Sequence, residues 1–429
     1  MISKATLYYK KYKKNTLYYK LNIYENQTEI IANNYYGFLR AIETFSQLID
    51  TNYQINQIPI QIEDEPYMQY RGIMLDCARH FMPVSTILRT IDAMQYNKMN
   101  ALHLHLADDE SFPLYISEEP QVTELGAYNK QSIYSLEDIK TILQHGNQAG
   151  VRIIPEIDSP SHARSWALME KYANCNIICP GAEHYNGQLD ITLDLTYELV
   201  EKIVNSTQNL FTDDYIHLGG DEVINSCYDK RPSIKTWMKN KGMDTSNYIG
   251  LQKYYRAQQK KMLKNGKSSI YWCNEQLNIP PTEDQILQYW GQYENLDMLL
   301  DVPNKIIISS EDKLYINMGQ GFVFGNSFGS YLTWKTVYDF EPLPKGYTKD
   351  RILGAEACLW SEVNNEFTVD NNLWIRGSAL AERLWSQQKD TTESLVIRLD
   401  QMQKDLVKRG IEAAPATSQF CSKYPQKCF

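Results

Sequence analysis

Eight short apolar segments, each ending in polar or aromatic residues, constrain the fold of this 429-residue chain more than any other feature. Near-continuous apolar runs of this length are typical of parallel strands that are buried on both faces. Helical patterns separate most of the segments, and eight strands alternating with helices indicate an α/β fold, a (β/α)8 TIM barrel. The candidate strands are residues 71–76, 101–108, 152–158, 215–221, 268–272, 285–290, 305–309 and 352–360.

The segment before the first candidate strand is predicted to form a separate unit. Residues 21–24 have a strand-like pattern and residues 35–49 a helix-like pattern. We therefore assign residues 1–66 to a small N-terminal α/β accessory domain and residues 67–429 to the barrel with its C-terminal helices. Residues 310–350, between the last two strands, are too many for a plain βα loop, so we expect this connection to be functional.

Composition argues against some classes of partner and location. Lys and Arg total 43 against 52 Asp and Glu, and the resulting net charge of -9 argues against a nucleic-acid partner. No apolar run reaches the ~20 residues of a membrane span. The eight cysteines are an even number, which is compatible with disulfides and an oxidising compartment. Cys77, Cys273 and Cys358 lie in apolar runs and are interpreted as buried core thiols.

The predicted strand ends carry the residues that can do chemistry, because the active sites of such barrels lie at the C-terminal face. Asp221 and Glu222 follow two glycines at the end of the fourth strand, where the alternation of side chains is relaxed and both carboxylates can approach one ligand. Paired carboxylates suit general acid catalysis at a glycosidic bond, provided that burial or a neighbouring charge keeps one of them protonated. The alternative is a solvated surface pair or a contact to a helix N-terminus.

Aromatic and polar residues accompany this pair at the other strand ends. Trp272, Trp290 and Trp360 end three different strands and could wall a pocket that stacks on a sugar ring or an acetamido methyl; ordinary packing is the alternative. Histidines and acids are dense enough to suggest a metal, but no HxxxH or HExxH spacing occurs. We therefore predict no metal and no cofactor, and we interpret these residues as a hydrogen-bonded network that supports the carboxylates. They are Arg79, His80, His103, His105, Asp108, Asp109, Asp158 and His162.

Five segments, in order along the chain, resemble those of the β-N-acetylhexosaminidases, above all the eukaryotic lysosomal and secreted members. The resemblance runs from about residue 21 to the C-terminus. The matching segments are residues 71–80 (RGIMLDCARH), 103–113 (HLHLADDESFP), 155–162 (PEIDSPSH), 217–223 (HLGGDEV) and 354–362 (GAEACLWSE). The family fold, a zincin-like α/β domain followed by a (β/α)8 barrel, agrees with the architecture predicted above. The resemblance also implies a lysosomal or secreted protein whose signal segment and opening strands are missing from this chain.

The resemblance implies a retaining glycosidase in which the substrate assists its own cleavage. The carbonyl oxygen of the substrate's 2-acetamido group would attack the anomeric carbon and give an oxazolinium ion. Glu222 would protonate the leaving oxygen and then act as a base toward water, while Asp221 would hold the acetamido N–H and stabilise the developing positive charge. Asp158 and His162 would support Glu222 by tuning its protonation.

The same resemblance implies a set of residues around the sugar. Arg79 would bind the O3 and O4 hydroxyls, and Glu362 would bind O4 or O6. Tyr315, in the long connection, would hydrogen-bond to the acetamido oxygen. The three strand-end tryptophans would wall the acetamido pocket. The remaining residues expected to bind substrate are His105, Asp108 and Asn317.

The resemblance extends to the cysteines and fails at one position. Cys179 with Cys227 and Cys421 with Cys428 are expected to be disulfides by similarity to the family. Many members have Asp two residues after the loop tyrosine, where this chain has Asn317. Because an Asn keeps the hydrogen bonding but lacks the negative charge, we hypothesise better tolerance of anionic sugars, for example a 6-sulfated one.

The expected substrate is a glycan with a terminal non-reducing β-linked GlcNAc or GalNAc. Chitooligosaccharides, N-glycans and glycolipids stay open, and a homodimer is an assembly common in the family. A catalytically inactive carbohydrate-binding protein is one alternative, although Glu222, Asp221 and Tyr315 are all present. A metal-dependent amidohydrolase barrel is another alternative, and the missing metal-ligand spacing weighs against it.

Overall fold

A four-stranded sheet lies at the N-terminal end of the chain. The structure, a computed structural model, describes residues 17–50, 52–179, 187–264, 266–275, 284–319 and 329–428, with the backbone alone of residues 5–9, 322–323 and 326–327. The strands of the sheet are β1 (Ala5–Tyr9), β2 (Tyr19–Tyr24), β3 (Gln27–Ala32) and β4 (Ile60–Asp64). They pair in the order β1–β3–β2–β4, and only the first pair is parallel.

One helix, α1 (Tyr35–Gln47), packs against this sheet. It begins at Asn34, whose side-chain oxygen accepts a hydrogen bond at 2.8 Å from the backbone N–H three residues on. Alternate residues of β2 are buried, and Leu21 and Ile23 pack with Trp385 from the barrel. The strand and the helix predicted for this segment are therefore present, whereas the assignment of an independent domain stays a prediction.

Eight parallel strands close into a barrel, which confirms the predicted fold class. Each strand pairs with its neighbours in chain order, and the last pairs with the first from Gly354 opposite Tyr70 to Leu359 opposite Leu75. The strands are β5 (Tyr70–Asp76), β6 (Ala101–His105), β7 (Arg152–Glu156), β8 (Tyr215–His217), β9 (Ser268–Cys273), β10 (Ile286–Tyr289), β11 (Lys305–Ile308) and β12 (Ile352–Leu359). Two short hairpins lie outside the barrel: Asn176–Ile178 with Gly187–Leu189, and Phe322–Val323 with Asn326–Ser327.

Helices cover the barrel and continue after its last strand. They are α2 (Val84–Tyr96), α3 (Pro120–Gly126), α4 (Leu136–Ala149), α5 (Asp194–Leu210), α6 (Asn225–Asp229), α7 (Pro232–Asn240), α8 (Ile249–Met262), α9 (Glu311–Leu314), α10 (Trp334–Asp339), α11 (Val369–Leu373), α12 (Arg376–Trp385), α13 (Thr392–Lys408) and α14 (Gln419–Lys423), with 3₁₀ turns at Arg164–Ala167, Glu170–Cys175, Tyr293–Leu299 and Pro425–Lys427. Helix α4 begins with a reciprocal capping box between Ser135 and Asp138 and ends at Gly150, whose φ is 69°. Within the described ranges, no helix is both long and apolar enough to cross a membrane.

The barrel interior is layered from apolar to charged. The layer at the N-terminal end of the strands consists of Tyr70, Ala101, Ile154, Ile270, Ile286, Ile307 and Leu353. Two residues further along three of these strands, and so on the same face, lie Glu156, Trp272 and Gln288. Gly72 leaves room for a second buried carboxylate, because a Cβ at that position would lie 2.7 Å from Oε2 of Glu356.

The cysteines divide into two disulfides and four buried thiols. Cys179 pairs with Cys227, and Cys421 pairs with Cys428, as the resemblance implied. The buried thiols are Cys77, Cys175, Cys273 and Cys358. The interpretation of three of them as core thiols is confirmed, and Cys175 joins them close to the first disulfide in sequence.

Candidate active site

Two glycines turn the chain sharply after the fourth barrel strand and bring two adjacent carboxylates to one imidazole. Gly219 has a φ of 62° and Gly220 a φ of 91°, and both values lie in the left-handed region that favours glycine. The turn ends the alternation of the strand, so that Asp221 and Glu222 both approach His162. Their carboxylate oxygens lie 4.0 Å and 3.2 Å from its Nε2 atom.

Glu222 is the exposed member of the pair. Its side chain is 59% exposed, and its Oε2 atom lies 3.2 Å from Nε2 of His162, within ion-pair distance. His162 holds the pKa of the Glu222 carboxyl below its ordinary value. We predicted that burial or a neighbouring charge keeps one carboxyl of the pair protonated. The pKa of Glu222 shifts the other way because a cationic imidazole faces it, whereas burial raises the pKa of Asp221.

His162 connects this carboxylate to a deeper one. Its Nδ1 atom lies 3.2 Å from Oδ1 of Asp108, and its own φ of 56° is left-handed. Burial opposes a charge on the ring, but Asp108, Glu222 and Asp221 outweigh it and raise the pKa of His162 well above its ordinary value. The ring is therefore an imidazolium at neutral pH.

Asp158 and Asp221 form a buried pair of acids. Oδ1 of Asp158 accepts a hydrogen bond from the Gly220 N–H at 2.8 Å, and a Cβ at Gly219 would lie only 1.6 Å from that oxygen. Burial and the Asp221 carboxylate raise the pKa of Asp158 well above its ordinary value, and the two side chains hydrogen-bond to each other. Burial also raises the pKa of Asp221, which His162 opposes. The Oδ1 atom of Asp221 is buried and has no hydrogen-bond partner in the described part of the chain.

Arg79 is held among carboxylates beside this group. Its Nη2 atom lies 2.8 Å from Asp108, its Nη1 atom 3.3 Å from Asp76 and its Nε atom 3.4 Å from Glu110. The guanidinium carbon lies 5.0 Å from the ring centroid of Trp360, in a cation–π contact. These contacts fix a planar donor group next to the aromatic cluster.

The three predicted tryptophans meet in one cluster. The ring centroids of Trp272 and Trp360 are 5.9 Å apart, and Tyr315 lies 6.0 Å from Trp360. Trp290 and Met74 pack against the same group. The three strand ends thus meet in one aromatic cluster, here called the aromatic wall, and its role as the wall of a sugar pocket stays a prediction.

The connection between the last two strands reaches this wall through Tyr315 and Asn317. The backbone N–H of Ile316 donates to the Cys358 carbonyl at 2.9 Å and ties the connection to β12. Among the described residues, neither amide atom of the buried Asn317 has a hydrogen-bond partner, nor has Oε2 of Glu362. Buried polar atoms without a protein partner indicate where polar groups of a ligand bind. Part of the connection that we expect to be functional lies outside the described residues.

A group of buried charges next to the aromatic wall was not predicted. Glu156 is fully buried, and its carboxylate contacts four side chains. Its Oε1 atom lies 2.6 Å from Trp272 Nε1 and 3.1 Å from His217 Nδ1. Its Oε2 atom lies 2.6 Å from His105 Nδ1 and 2.9 Å from His103 Nε2. Burial opposes ionisation, but these histidines hold the pKa of Glu156 well below its ordinary value.

Glu356 is a second buried carboxylate in the barrel axis. It accepts hydrogen bonds from His103 at 2.9 Å, from Gln288 at 2.6 Å and from the Tyr70 hydroxyl. Burial opposes a charge on His103, but Glu356 and Glu156 raise its pKa to about 9. A glutamate inside an otherwise apolar strand is the sequence signal that could have identified both carboxylates.

His105, which we predicted to bind substrate, lies within this network. Its Nδ1 atom pairs with Glu156, and its Nε2 atom lies 2.8 Å from Oδ2 of Asp108. The edge of its ring contacts Trp360 at a centroid distance of 5.1 Å. Both ring nitrogens are therefore engaged by carboxylates, and direct binding of substrate by His105 stays a prediction.

Three sets of histidine and acid atoms converge to within 4.8 Å: His103 with Glu156 and His217, Asp108 with Asp109 and His162, and Asp158 with His162 and Asp221. Each set contains an imidazole and a carboxylate that face each other within ion-pair distance, such as His103 with Glu156, His162 with Asp108 and His162 with Asp221. Such pairing competes with metal binding, and the absence of a metal stays a prediction.

The whole arrangement can bind a polar ring and exchange a proton with it. The aromatic wall offers a flat apolar surface, Arg79 and Glu362 offer donors and acceptors, and Glu222 offers an exposed carboxylate beside an imidazolium. Such a combination is typical of a sugar-binding catalytic site.

The chain is similar to several known proteins. A family model described as glycosyl hydrolase family 20, catalytic domain, matches residues 68–388. The chain is 33% identical over 425 residues to the beta-hexosaminidase subunit beta of Mus musculus, across 94% of this chain and 75% of that protein. It is 32% identical over 432 residues to the chitooligosaccharidolytic beta-N-acetylglucosaminidase of Ostrinia furnacalis, across 93% and 72%. The solved exo-β-N-acetylglucosaminidase of Vibrio harveyi, in complex with N-acetylglucosamine, matches with a TM-score of 0.82 and 26% identity, across 96% of this chain and 70% of that one.

Proposed function

The chain belongs to glycosyl hydrolase family 20 and hydrolyses terminal N-acetylhexosamine, and we propose how its residues carry out this reaction. It acts as a retaining exo-glycosidase on a non-reducing β-linked sugar. The carbonyl oxygen of the substrate's 2-acetamido group attacks the anomeric carbon as the glycosidic C–O bond breaks. The resulting oxazolinium ion is then opened by water with net retention. Substrate-assisted hydrolysis of this kind is a known alternative to the two-carboxylate mechanism.

Glu222 is the proposed general acid and base. In the free enzyme the proton of the Glu222–His162 pair resides on the imidazole. A bound sugar removes water from the exposed carboxylate, which raises the pKa of Glu222 and draws the proton from His162 across the 3.2 Å ion pair. Glu222 passes this proton to the leaving oxygen and later takes one from the attacking water.

Asp221 is the proposed partner of the acetamido group. Its unpaired Oδ1 atom accepts the acetamido N–H and stabilises the positive charge that develops as the oxazolinium ring closes. The protonated Asp158 hydrogen-bonds to Asp221 and keeps it in place. Tyr315 donates its hydroxyl to the acetamido oxygen and orients it for attack.

The sugar ring is held by the aromatic wall and by two charged residues. The strand-end tryptophans enclose the acetamido methyl, and Arg79 binds O3 and O4. Glu362 accepts from O4 or O6 through its unpaired oxygen, and Asn317 lies among the groups that contact the ring. Asp108 holds Arg79 in position through the 2.8 Å ion pair.

One observation carries the proposal: the two candidate carboxylates are adjacent in sequence and approach the same imidazole nitrogen. In an ordinary retaining glycosidase the acid and the nucleophile are ~5–5.5 Å apart and flank the scissile bond. Asp221 and Glu222 are adjacent on one turn and face one imidazole, which supports a mechanism in which the nucleophile comes from the substrate.

Hydrolysis by wild type and Glu222→Gln tests the acid. An N-acetylchitooligosaccharide has a poor leaving group, so we expect its kcat to fall by about 10³-fold. An aryl N-acetylglucosaminide with an acidic phenol needs less protonation and should lose far less. Full activity of the variant on both substrates would reject Glu222 as the acid.

Glu198→Gln is the matched control for this experiment. Glu198 is 45% exposed and pairs with Lys171 and Lys202 on the outer surface, so the substitution removes a comparable cation-paired carboxylate. We expect wild-type kinetics from it.

Tight binding of a thiazoline analogue of the intermediate separates substrate assistance from a protein nucleophile. Loss of all activity with a chelator would favour the amidohydrolase alternative, and a wild type without hydrolysis would favour the inactive binding protein.

We also propose a lysosomal or secreted location and a homodimer. The two disulfides support an oxidising compartment, in which such bonds persist. Light scattering of the purified protein tests the dimer, and fractionation of the source cells tests the compartment.

A further inference from the structure

A continuous chain of alternating carboxylates and imidazoles runs from the barrel axis to Glu222. Oε2 of Glu156 lies 2.6 Å from His105 Nδ1, and His105 Nε2 lies 2.8 Å from Asp108 Oδ2. Oδ1 of Asp108 lies 3.2 Å from His162 Nδ1, and His162 Nε2 lies 3.2 Å from Glu222 Oε2. Each imidazole uses both nitrogens, and Asp108 uses both oxygens. No protein group is inserted between successive members.

This chain of carboxylates and imidazoles passes from the protein interior to solvent in one direction. The side chains of Glu156 and His105 are 0% and 1% exposed, that of His162 is 12% exposed, and that of Glu222 is 59% exposed. In the buried part, bulk water cannot screen or replace a charge. The charge on each inner member is therefore set by its neighbours in the chain, and only the last member contacts solvent freely.

The inner members alternate in charge. Burial opposes ionisation of each of them, but their neighbours hold the pKa values of Glu156 and Asp108 well below, and those of His105 and His162 well above, the ordinary ranges. The imidazolium that faces Glu222 is thus stabilised by Asp108. Asp108 is in turn balanced by Arg79 and His105, which both face its other oxygen, and His105 is balanced by Glu156.

We propose that Glu156 and His105 are positioning residues that set, through Asp108 and His162, how firmly the proton of the acid is held at Glu222. This inference rests on the proposed function, because it assigns a role to these residues only if Glu222 is the general acid and base. Neither residue touches the substrate in the proposal.

Removing the charge of Glu156 should shift the pKa of the Glu222–His162 pair in one definite direction. Without its anionic partner, the buried His105 loses its proton, since burial alone favours the neutral ring. One of the two positive charges beside Oδ2 of Asp108, that of His105, disappears together with the more distant negative charge of Glu156, while Arg79 stays. The surroundings of His162 and Glu222 become more negative, and the pair binds its proton more tightly. If Glu156 acted on the pair only as a distant negative charge, its removal would instead weaken proton binding by Glu222 and His162.

Other charged groups face the same chain and stay in place in the variants. Glu222 and His162 are also faced by Asp221, Asp158 and Arg79. His105 is also faced by Asp76. Further contacts of Glu156 come from His103, His217 and Trp272.

The pH dependence of kcat/KM in Glu156→Gln tests the inference. Its alkaline limb reports loss of the proton from the Glu222–His162 pair in the free enzyme. We expect this limb to move to higher pH by about half a unit. The shift is small because the lost charge, that of His105, is separated from His162 by the carboxylate of Asp108. The Gln amide keeps an acceptor for Trp272 and can donate to the neutral His105. A uniform loss of rate at every pH, with the limb unmoved, would reduce Glu156 to a structural residue.

Three variants sharpen this test. Glu156→Asp keeps the charge, so its limb should stay near that of wild type. Glu356→Gln removes an equally buried carboxylate that also pairs with His103 but does not contact His105, so its limb should stay or move to lower pH. His105→Gln should move the limb upward even if Glu156→Gln does not fold. An equal upward shift in Glu356→Gln would overturn the proposal, whereas full activity of Glu222→Gln would overturn the proposed function instead.

Discussion

The two ends of this carboxylate chain differ in how their oxygens are used. Glu156, at the inner end, contacts four side chains with its two oxygens and is fully buried. Glu222, at the outer end, has one side-chain partner among the described residues, and its side chain is 59% exposed. A buried carboxylate with every oxygen paired contributes to a unique packing of the barrel, while a sparsely paired one is available for a reacting group.

The same contrast holds between the axis and the sugar site as a whole. In the axis, both oxygens of the Glu356 carboxylate are paired, with His103, Gln288 and Tyr70. At the site, the unpaired oxygens belong to Asp221 and Glu362, and both amide atoms of Asn317 are unpaired, among the described residues. Substitutions in the axis should therefore change mainly stability, and substitutions at the site should change mainly catalysis or binding.

The largest expected effect is that of Asp221→Asn on catalysis. The carboxamide cannot stabilise the developing positive charge, so kcat should fall by about 10²–10³-fold. Stability should stay the same or rise, because the change removes a buried carboxylate that lies beside Asp158. Kinetics with an aryl N-acetylglucosaminide and a thermal midpoint measure both quantities. A large fall of the midpoint would place Asp221 with the axis residues and break the comparison.

The next effect concerns stability and pH in the axis. His103 has a pKa of about 9 in the folded protein against an ordinary value of 6.5. A raised pKa stabilises the fold fully below the unfolded value, and this contribution is lost as pH rises from about 6.5 through about 9. At 1.36 kcal/mol per unit it amounts to about 3 kcal/mol. Urea midpoints across this pH range should fall in wild type and fall less steeply in Glu356→Gln. If the urea midpoints of wild type and Glu356→Gln fall equally steeply with pH, the raised pKa of His103 does not come from Glu356.

The sequence predicts the site better than the axis, for a geometric reason. The carboxyl ends of parallel strands meet at one face, so Asp221, Glu222 and the strand-end tryptophans could be grouped without coordinates. Glu356 and His103 are far apart in sequence and meet only because β12 pairs with β5 to close the barrel. Their partnership depends on register and strand order, which no local pattern contains.

The protonation of the acid was also beyond the sequence. The low pKa of Glu222 depends on His162, which is oriented by a left-handed backbone conformation after β7. A non-glycine residue adopts that conformation only when the surrounding structure imposes it. The residue types at the site were therefore predictable, whereas the direction of the pKa shift required the geometry.

A smaller effect is expected at the edge of the sugar. Glu362→Gln keeps an acceptor but removes the charge-assisted hydrogen bond to a ring hydroxyl, so KM should rise by about tenfold with little change in kcat. Burial raises the pKa of this carboxyl, and Arg79 opposes that rise. Glu366→Gln, four residues along the same loop, is the control and should behave like wild type. If kcat falls and KM is unchanged, Glu362 acts in the transition state rather than in binding.

The smallest effect, and the finest test of the contrast between paired and unpaired groups, concerns Asn317. The buried amide has no partner among the described residues and carries no charge, so its Nδ2–H group can donate to an anionic substituent without charge repulsion. Asn317→Asp would introduce a negative charge at low dielectric constant. The ratio of kcat/KM for a 6-sulfated over a neutral N-acetylglucosaminide should then fall by about fivefold, or roughly 1 kcal/mol. Asn317→Ser, which removes the amide without adding a charge, should lower both rates and leave the ratio near that of wild type. A ratio that does not fall in Asn317→Asp would separate Asn317 from the group that contacts the 6-position of the sugar.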